Sequence, residues 1–341
     1  MSTYRAKERK GLGLIAGEMT TVADTSGQSL LADFGPDKAE RFQKAILTFR
    51  HNLAGTGLFT DEALIELMEH HPTDRLDVCT MGGTDPRFPN RFMTGDFRDA
   101  SGRTDGATLL EAAKSGRIWI NVREAMNLHD EYRNALERIY GELAEATGNS
   151  AFNPRGGVLI SSPIAKVPFH CDKTETILWH VRGAKRILIY PCTQDFIPDV
   201  SYEATLTSLI DDDLPYDEAM DAQATVFDLE PGQAVTWPLN SPHRVENRAF
   251  CVSVTTEYST RASALKNSAM LANAVMRSRL GLNPSYERDH PAIRRTKSVL
   301  GRAMKKAGLV PDTSEPDMVR FRIDPDVDGY VVPTEPFVRD F

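Results

Sequence analysis

The sequence predicts a mainly β protein with flanking helices, its core an antiparallel sandwich or barrel such as a jelly roll. Three observations carry this. From Gly156 onward seven short β-type runs follow one another: "GVLISS", "TILWHVR", "KRILIYP", "ATVFDL", "QAVTWP", "HRVEN" and "FCVSVTTEY". Turn chemistry separates them, in "RGA", "EPGQ", "NSP" and "NRA". On either side of this stretch the apolar spacing changes to that of helices.

In chain order, the first forty residues are polar and weakly patterned. "DKAERFQKAILTFRHNL" then places Phe42, Ala45, Ile46 and Phe49 at helical spacing, which predicts one amphipathic helix. A second helix is predicted over "TDEALIELMEHHP", capped by Thr60, with Asp61 and Glu62 in its first turn and Pro72 at its end. "RLDVCT" reads as a strand and "MGGTDPRFPN" as a loop. "DGATLLEAAKSG" reads as a short helix closed by Gly116, and "RIWINVR" as a strand. "LHDEYRNALERIYGELAEATG" is a long helix with Leu128, Tyr132, Leu136, Ile139 and Leu143 on one stripe. After the β-rich stretch, residues from Thr260 to about Gly308 return to helix, and "RFRIDPDVDGYVVPTEPF" reads as an irregular, partly extended tail. The expected organisation is a mixed α/β region at 1–150 packing on the barrel, a jelly-roll core at 151–260, basic helices at 261–310 and an extended tail at 311–341.

A chain of 341 residues, 41% hydrophobic, is long enough for one large domain or two modest ones. The formal charge of −8 argues against general nucleic-acid or membrane affinity. Cys79, Cys171, Cys192 and Cys251 lie far apart without a CxxC pair, so reduced thiols are expected, and with no signal-like or membrane-length apolar run the expectation is a cytoplasmic protein. Charge is uneven, however. Residues 261–310 hold eleven Lys/Arg against Glu287 and Asp289, a net of 11 − 2 = +9. With almost no aromatic residues interleaved, this reads as a solvated helix face or a dimer-forming element rather than a nucleic-acid contact. Ala269, Met270, Leu271, Ala274, Val275 and Met276 are expected as a buried stripe, in a homodimer or against the barrel.

The chemistry concentrates in "PFHCDKTETILWHVRGAKRILIYP". His170 and Asp172 form an H-x-D in which period-two spacing sends both side chains to one side of an extended chain. A third ligand should come from a neighbouring strand, and His243, in "EPGQAVTWPLNSPHRVEN", is the candidate. Two imidazoles and one carboxylate on one face of an octahedral ion leave three positions open, the set associated with non-haem Fe(II) oxygenases. The plain alternatives are an aspartate bonded to its own turn and a corner histidine between prolines. The H-x-E at His129–Glu131 opens the long helix, where positions i and i+2 diverge, so it is not expected to chelate.

Lys185 opens an apolar run and needs its own explanation. If "RGA" is a three-residue hairpin connection, Ile177, Trp179 and Val181 share a face with Lys185, Ile187 and Ile189, while His180, Arg186 and Tyr190 face the other way. The ammonium then points into an apolar barrel, where no acidic residue of either strand can meet it, and a bound carboxylate would. A two-residue loop would turn Lys185 outward.

"FHCDKTETILWHVRGAKRILIYP" followed by "EPGQAVTWPLNSPHRVEN" resembles the Jumonji-C group of cupin-fold Fe(II)/2-oxoglutarate oxygenases, and within it the asparaginyl-hydroxylase-like members. The resemblance covers Gly156 to Tyr258. It implies a double-stranded β-helix, with His170, Asp172 and His243 as iron ligands, Lys185 as the anchor of the distal carboxylate of 2-oxoglutarate and Thr176 as a further contact to it. It also implies O2 as the oxidant and hydroxylation of a protein side chain or a small molecule. Val167 stands where relatives often carry a co-substrate-binding threonine, so Ser161, Ser162 or a front-half residue would have to replace it. Ser253 and Val254 stand where a different 2-oxoglutarate family has an arginine, and Glu175 is misplaced for a four-ligand cupin. The rival function is a non-catalytic metal- or carboxylate-binding cupin module.

Overall fold

The computed structural model describes residues 28–81, 92–207, 214–311 and 316–341. The front half begins with α1 (Pro36–Arg41), β1 (Leu47–Arg50), α2 (Asp61–His70), β2 (Leu76–Met81), β3 (Phe92–Asp96), α3 (Gly106–Ser115), β4 (Ile118–Val122), α4 (Ala125–Leu128) and α5 (Asp130–Thr147). The signals for α2 act as expected: the Thr60 side chain accepts from the Ala63 backbone N–H at 3.2 Å. The helix expected through Phe49 instead stops at Arg41. Gln43 turns the chain with φ of 65°, and Leu47 and Phe49 alternate inward as an edge strand pairing with residues 233–236. Of the apolar residues on which the helix reading rested, Phe42 and Phe49 are buried and Ala45 and Ile46 half-buried, and from Leu47 on the burial has period two. In α5, Tyr132, Leu136, Ile139 and Leu143 form the buried stripe, whereas Leu128 belongs to α4 and is exposed. The loop expected at 81–90 lies outside the described residues from position 82 on.

Eight strands follow: β5 (Phe152–Ser161), β6 (Lys166–His170), β7 (Glu175–Arg182), β8 (Lys185–Ile189), β9 (Thr225–Leu229), β10 (Gln233–Thr236), β11 (His243–Asn247) and β12 (Cys251–Ser259). They divide between two sheets. The small sheet runs β6-β11-β8-β9, and the facing part of the large sheet runs β10-β7-β12-β5. All of these pairings are antiparallel. Along the chain the strands go large, small, large, small, small, large, small, large, which is a double-stranded β-helix.

The interior between the sheets is filled by Leu178, Ile187, Ile189, Leu229, Val235, Trp237 and Val245. The opposite face of the large sheet, with Ile160, Ile177, Trp179, Val252 and Val254, packs against the front half. Phe169, Leu188 and Tyr190 on the outer face of the small sheet are covered by Phe196, Ile197 and Tyr202 from the segment joining β8 to β9, which carries α6 (Asp199–Thr207). β7 is therefore buried on both faces, and this is why "TILWHVR" lacks alternation.

Two further expectations change. "RGA" is not a hairpin, because β7 and β8 lie in different sheets. Gly183 carries the chain across with φ of 93°, and a Cβ there would lie 2.0 Å from the Phe250 carbonyl oxygen. The tail is not irregular either. After α7 (Arg261–Leu280) and α8 (Pro291–Lys306), β13 (Met318–Ile323) and β14 (Val331–Val338) form a hairpin, and β13 pairs in parallel with β3 to extend the large sheet. Val319 and Phe321 are its buried side chains, at the period-two spacing of a strand. One sheet thus runs from the barrel through β4, β2 and β3 to the last strands.

The stripe on α7 is buried as expected except Met276, which is half-buried, and α7 packs on α6 and α8 of the same chain. No helix among the described residues is long and apolar enough to cross a membrane.

Candidate metal and carboxylate site

At one end of the barrel, β6 and β11 lie side by side with His170 opposite His243, and Asp172 follows two residues after β6. Each of the three residues offers a ligand atom such that all lie within 4.8 Å of one another. Among the described residues this is the set of His, Cys, Asp and Glu that meets that condition. The His243 Nε2 is 3.7 Å from Asp172 Oδ2, and the imidazole centroids of His170 and His243 are 4.2 Å apart.

Both rings are oriented from behind. His170 Nδ1 lies 2.8 Å from the Pro168 carbonyl and His243 Nδ1 lies 3.2 Å from the Ser241 carbonyl. A carbonyl only accepts, so each Nδ1 carries the proton and each Nε2 presents a lone pair, the tautomer a metal requires. Burial pushes the His243 imidazole well below its ordinary pKa, with His170 beside it adding to the effect, so the ring is neutral. Asp172 Oδ2 is buried without a hydrogen-bond partner. Burial raises the Asp172 carboxyl above its usual range, while His170 and the Thr176 hydroxyl pull it back. Two imidazole nitrogens and an orphaned carboxylate oxygen fit a divalent cation. His129, by contrast, stacks on His71 with a 3.0 Å Nδ1···Nε2 contact, and it chelates nothing with Glu131.

At the other end stands Lys185, 4% exposed. It points inward, but not for the reason the hairpin reading gave. Since β7 and β8 face each other across the interior, Lys185, Ile187 and Ile189 look toward Thr176, Leu178 and His180; Ile177, Trp179 and Val181 are on the outer face. Burial lowers the Lys185 pKa, and no carboxylate of the described residues lies within ion-pair distance of it. Facing it is His180, held at about 4 by burial and by the Lys185 charge. His180 Nε2 lies 3.1 Å from the Gly183 carbonyl, so it donates there, and Nδ1 accepts from the Ser253 hydroxyl at 3.2 Å.

Further polar atoms near this end are unsatisfied. Ser161 Oγ, Ser162 Oγ and Asn247 Oδ1 are buried without partners, although Asn247 Nδ2 donates to the Ser162 carbonyl at 3.0 Å. Asn247 pairs with Lys185 across the small sheet, and Ser161 lies two residues from the interior Leu159 on β5. Sequence reasoning offered Ser161 and Ser162 as candidates but missed His180 and Asn247. Period two on β7, taken from Thr176, was the available signal for His180. Val167 faces the apolar interior opposite Val245, and Glu175 accepts from the Thr260 hydroxyl that caps α7.

Four residue steps along β8 lead from Lys185 to Ile189, the partner of His243. At about 3.3 Å per residue this is roughly 13 Å of strand, bridged in part by the lysine stem. Between the ends the walls are Leu178, Ile187, Ile189 and Val245.

No protein-family model matches the chain, and no curated protein is similar to it in sequence. Among solved structures it is similar to YcfD of Escherichia coli, with 18% identity and a TM-score of 0.44 over 82% of this chain and 68% of that one. A structure described as the ribosomal oxygenase YcfD from Escherichia coli in complex with cobalt and 2-oxoglutarate gives 16% identity and a TM-score of 0.44, covering 86% and 74% of the two chains. An RmlC-like cupin from Shewanella frigidimarina gives 9% identity and a TM-score of 0.21 over 32% and 68%. These values are too low to carry a residue's role or an activity from one chain to another. The strand order alone fixes the fold here.

Proposed function

We propose that the protein is an Fe(II)- and 2-oxoglutarate-dependent oxygenase, with His170, Asp172 and His243 holding the metal and Lys185 holding the distal carboxylate of the co-substrate. One observation carries this reading: a single barrel interior has a three-residue donor set at one end and a buried, unpaired ammonium at the other. An isolated buried charge costs several kcal/mol, and an anion reaching it from the metal end removes that cost. A dicarboxylic keto acid has the chemistry for both ends.

The bound metal and keto acid would supply oxidative decarboxylation: 2-oxoglutarate, O2 and a substrate C–H become succinate, CO2 and the hydroxylated product. The chain's own part is binding and exclusion. Lys185 donates to the distal carboxylate, and the Ser161 and Ser162 hydroxyls are free to donate beside it. Burial and the Lys185 charge keep His180 neutral, so it adds no second charge to the pocket, and its one N–H is spent on Gly183. Thr176 lies beside Asp172 and helps set the carboxylate's orientation. Leu178, Ile187, Ile189 and Val245 keep the stretch between the two ends dry.

A non-catalytic module would bind the same metal and acid without consuming either. The test is the release of CO2 from 2-oxoglutarate by the Fe(II)-loaded full chain in air. The proposal expects Fe(II)-dependent release, even without the true substrate, that is lost in His170→Ala, Asp172→Ala and His243→Ala. Metal and 2-oxoglutarate binding with no release would favour the module.

A further inference from the structure

Asp172 sits outside the strand ladders, in the segment between β6 and β7, so its backbone carbonyls need partners from elsewhere. They find them in side chains. Asn240 Nδ2 donates to the Asp172 carbonyl at 2.8 Å, and Asn267 Nδ2 donates to the next carbonyl, that of Lys173, at 2.6 Å. The Tyr202 hydroxyl links the two amides: it accepts from Asn240 Nδ2 at 2.7 Å and donates to Asn267 Oδ1. Every bond direction is determined. The two backbone carbonyls fix which end of each amide is nitrogen, and Asn267 Oδ1 then fixes where the tyrosine proton lies.

The three residues come from three places: Tyr202 from α6, Asn240 from the corner between β10 and β11, and Asn267 from α7. Tyr202 and Asn240 are 3% and 2% exposed. Asn240 adopts φ of 64°, a left-handed conformation that asparagine tolerates better than most residues, three positions before His243. The corner that delivers one histidine therefore also grips the backbone of the carboxylate.

We propose that Asn240, Tyr202 and Asn267 are positioning residues that clamp the 172–173 backbone and so fix the Asp172 carboxylate for the metal. Metal retention then depends on two helices outside the barrel. This inference rests on the metal reading above.

The test uses the full chain and Co(II) as the probe, measuring affinity by titration and release into excess chelator, together with melting of the metal-free protein. Glycine accepts the left-handed backbone, so Asn240→Gly removes the amide without adding strain. It is expected to weaken Co(II) 10- to 100-fold and to speed release correspondingly, the range for losing a group that orients a ligand. Tyr202→Phe is expected to act in the same direction by several fold, and it decides the matter if Asn240→Gly does not fold. Leu136→Ala, a cavity in the distant α5 stripe, serves as the control: it should lower melting and leave Co(II) affinity unchanged. Unchanged Co(II) binding and release in Asn240→Gly and Tyr202→Phe would overturn the clamp, and so would an equal loss in Leu136→Ala. If wild type and His243→Ala bind Co(II) alike, the metal reading itself falls and takes the clamp with it.

Discussion

The two ends of the barrel interior are built in opposite ways. At the metal end three donors converge, each with a dedicated orienting contact: carbonyls behind His170 and His243, and side-chain amides under the Asp172 segment. At the lysine end one charge stands alone; Asn247, its partner across the small sheet, has a buried Oδ1 without a partner, as do the Ser161 and Ser162 hydroxyls. On the proposed reading the first end takes a cation and the second an anion. Both ends leave buried polar atoms without partners, Asp172 Oδ2 at the first and the serine and asparagine oxygens at the second, but only at the first do hydrogen bonds from the chain itself orient the groups that would meet a ligand.

The comparison breaks most decisively at the donors. His243→Ala is expected to abolish Fe(II) binding and CO2 release while the metal-free protein still melts cooperatively, checked by metal analysis and calorimetry. Next comes Lys185→Met. Removing a buried, unpaired charge should raise metal-free stability by about 1–3 kcal/mol in denaturant unfolding while it weakens 2-oxoglutarate at least tenfold. A rise in stability together with a loss of binding is the result expected of a charge kept for a ligand. Lys185→Arg should rescue only in part, since a planar fork does not replace a compact ammonium. Ser161→Ala should cost about 0.5–1.5 kcal/mol of 2-oxoglutarate affinity, a few-fold change in a titration.

A separate prediction concerns pH dependence. His51, His71 and His180 are each held at about 4 against an ordinary 6.5, chiefly by burial, with His129 adding at His71 and Lys185 at His180. Between these values the unfolded chain binds more protons than the fold. Their contribution to stability is therefore whole above about 6.5 and is lost as the pH falls toward 4, at about 1.4 kcal/mol per pH unit for each histidine. His180→Gln should make the slope between pH 6 and pH 4.5 shallower by about one proton, measured by urea unfolding across that range.

Much of this site was legible in the sequence because its signals are local. H-x-D at a strand end and a histidine after a proline-rich corner need only period two and one turn. The strands of the barrel were legible for the same reason. What was not legible depended on which sheet a strand joins. "RGA" has the composition of a hairpin, yet Gly183 crosses between sheets, so Lys185 reached the interior while its supposed neighbours Ile177, Trp179 and Val181 did not. His180 was placed on the wrong side by the same step. The helix expected through Phe49 failed because Phe49, one of the four apolar residues at helical spacing, also stands at period two from Leu47, and pairing with β10 decided between them. The last hairpin was missed because its partner, β3, lies more than two hundred positions earlier. Asn240, Tyr202 and Asn267 meet only in the fold.

The central claim is that one molecule spans both ends, and comparing two keto acids tests it most directly. Mn(II)-loaded wild type and Lys185→Met would each be titrated without O2 against 2-oxoglutarate and against 2-oxopentanoate, which keeps the keto acid but replaces the distal carboxylate with a methyl group. The account predicts that Lys185→Met weakens 2-oxoglutarate at least tenfold and leaves 2-oxopentanoate unchanged. Equal affinities of wild type and Lys185→Met for 2-oxoglutarate, or an equal loss for both acids, would contradict it.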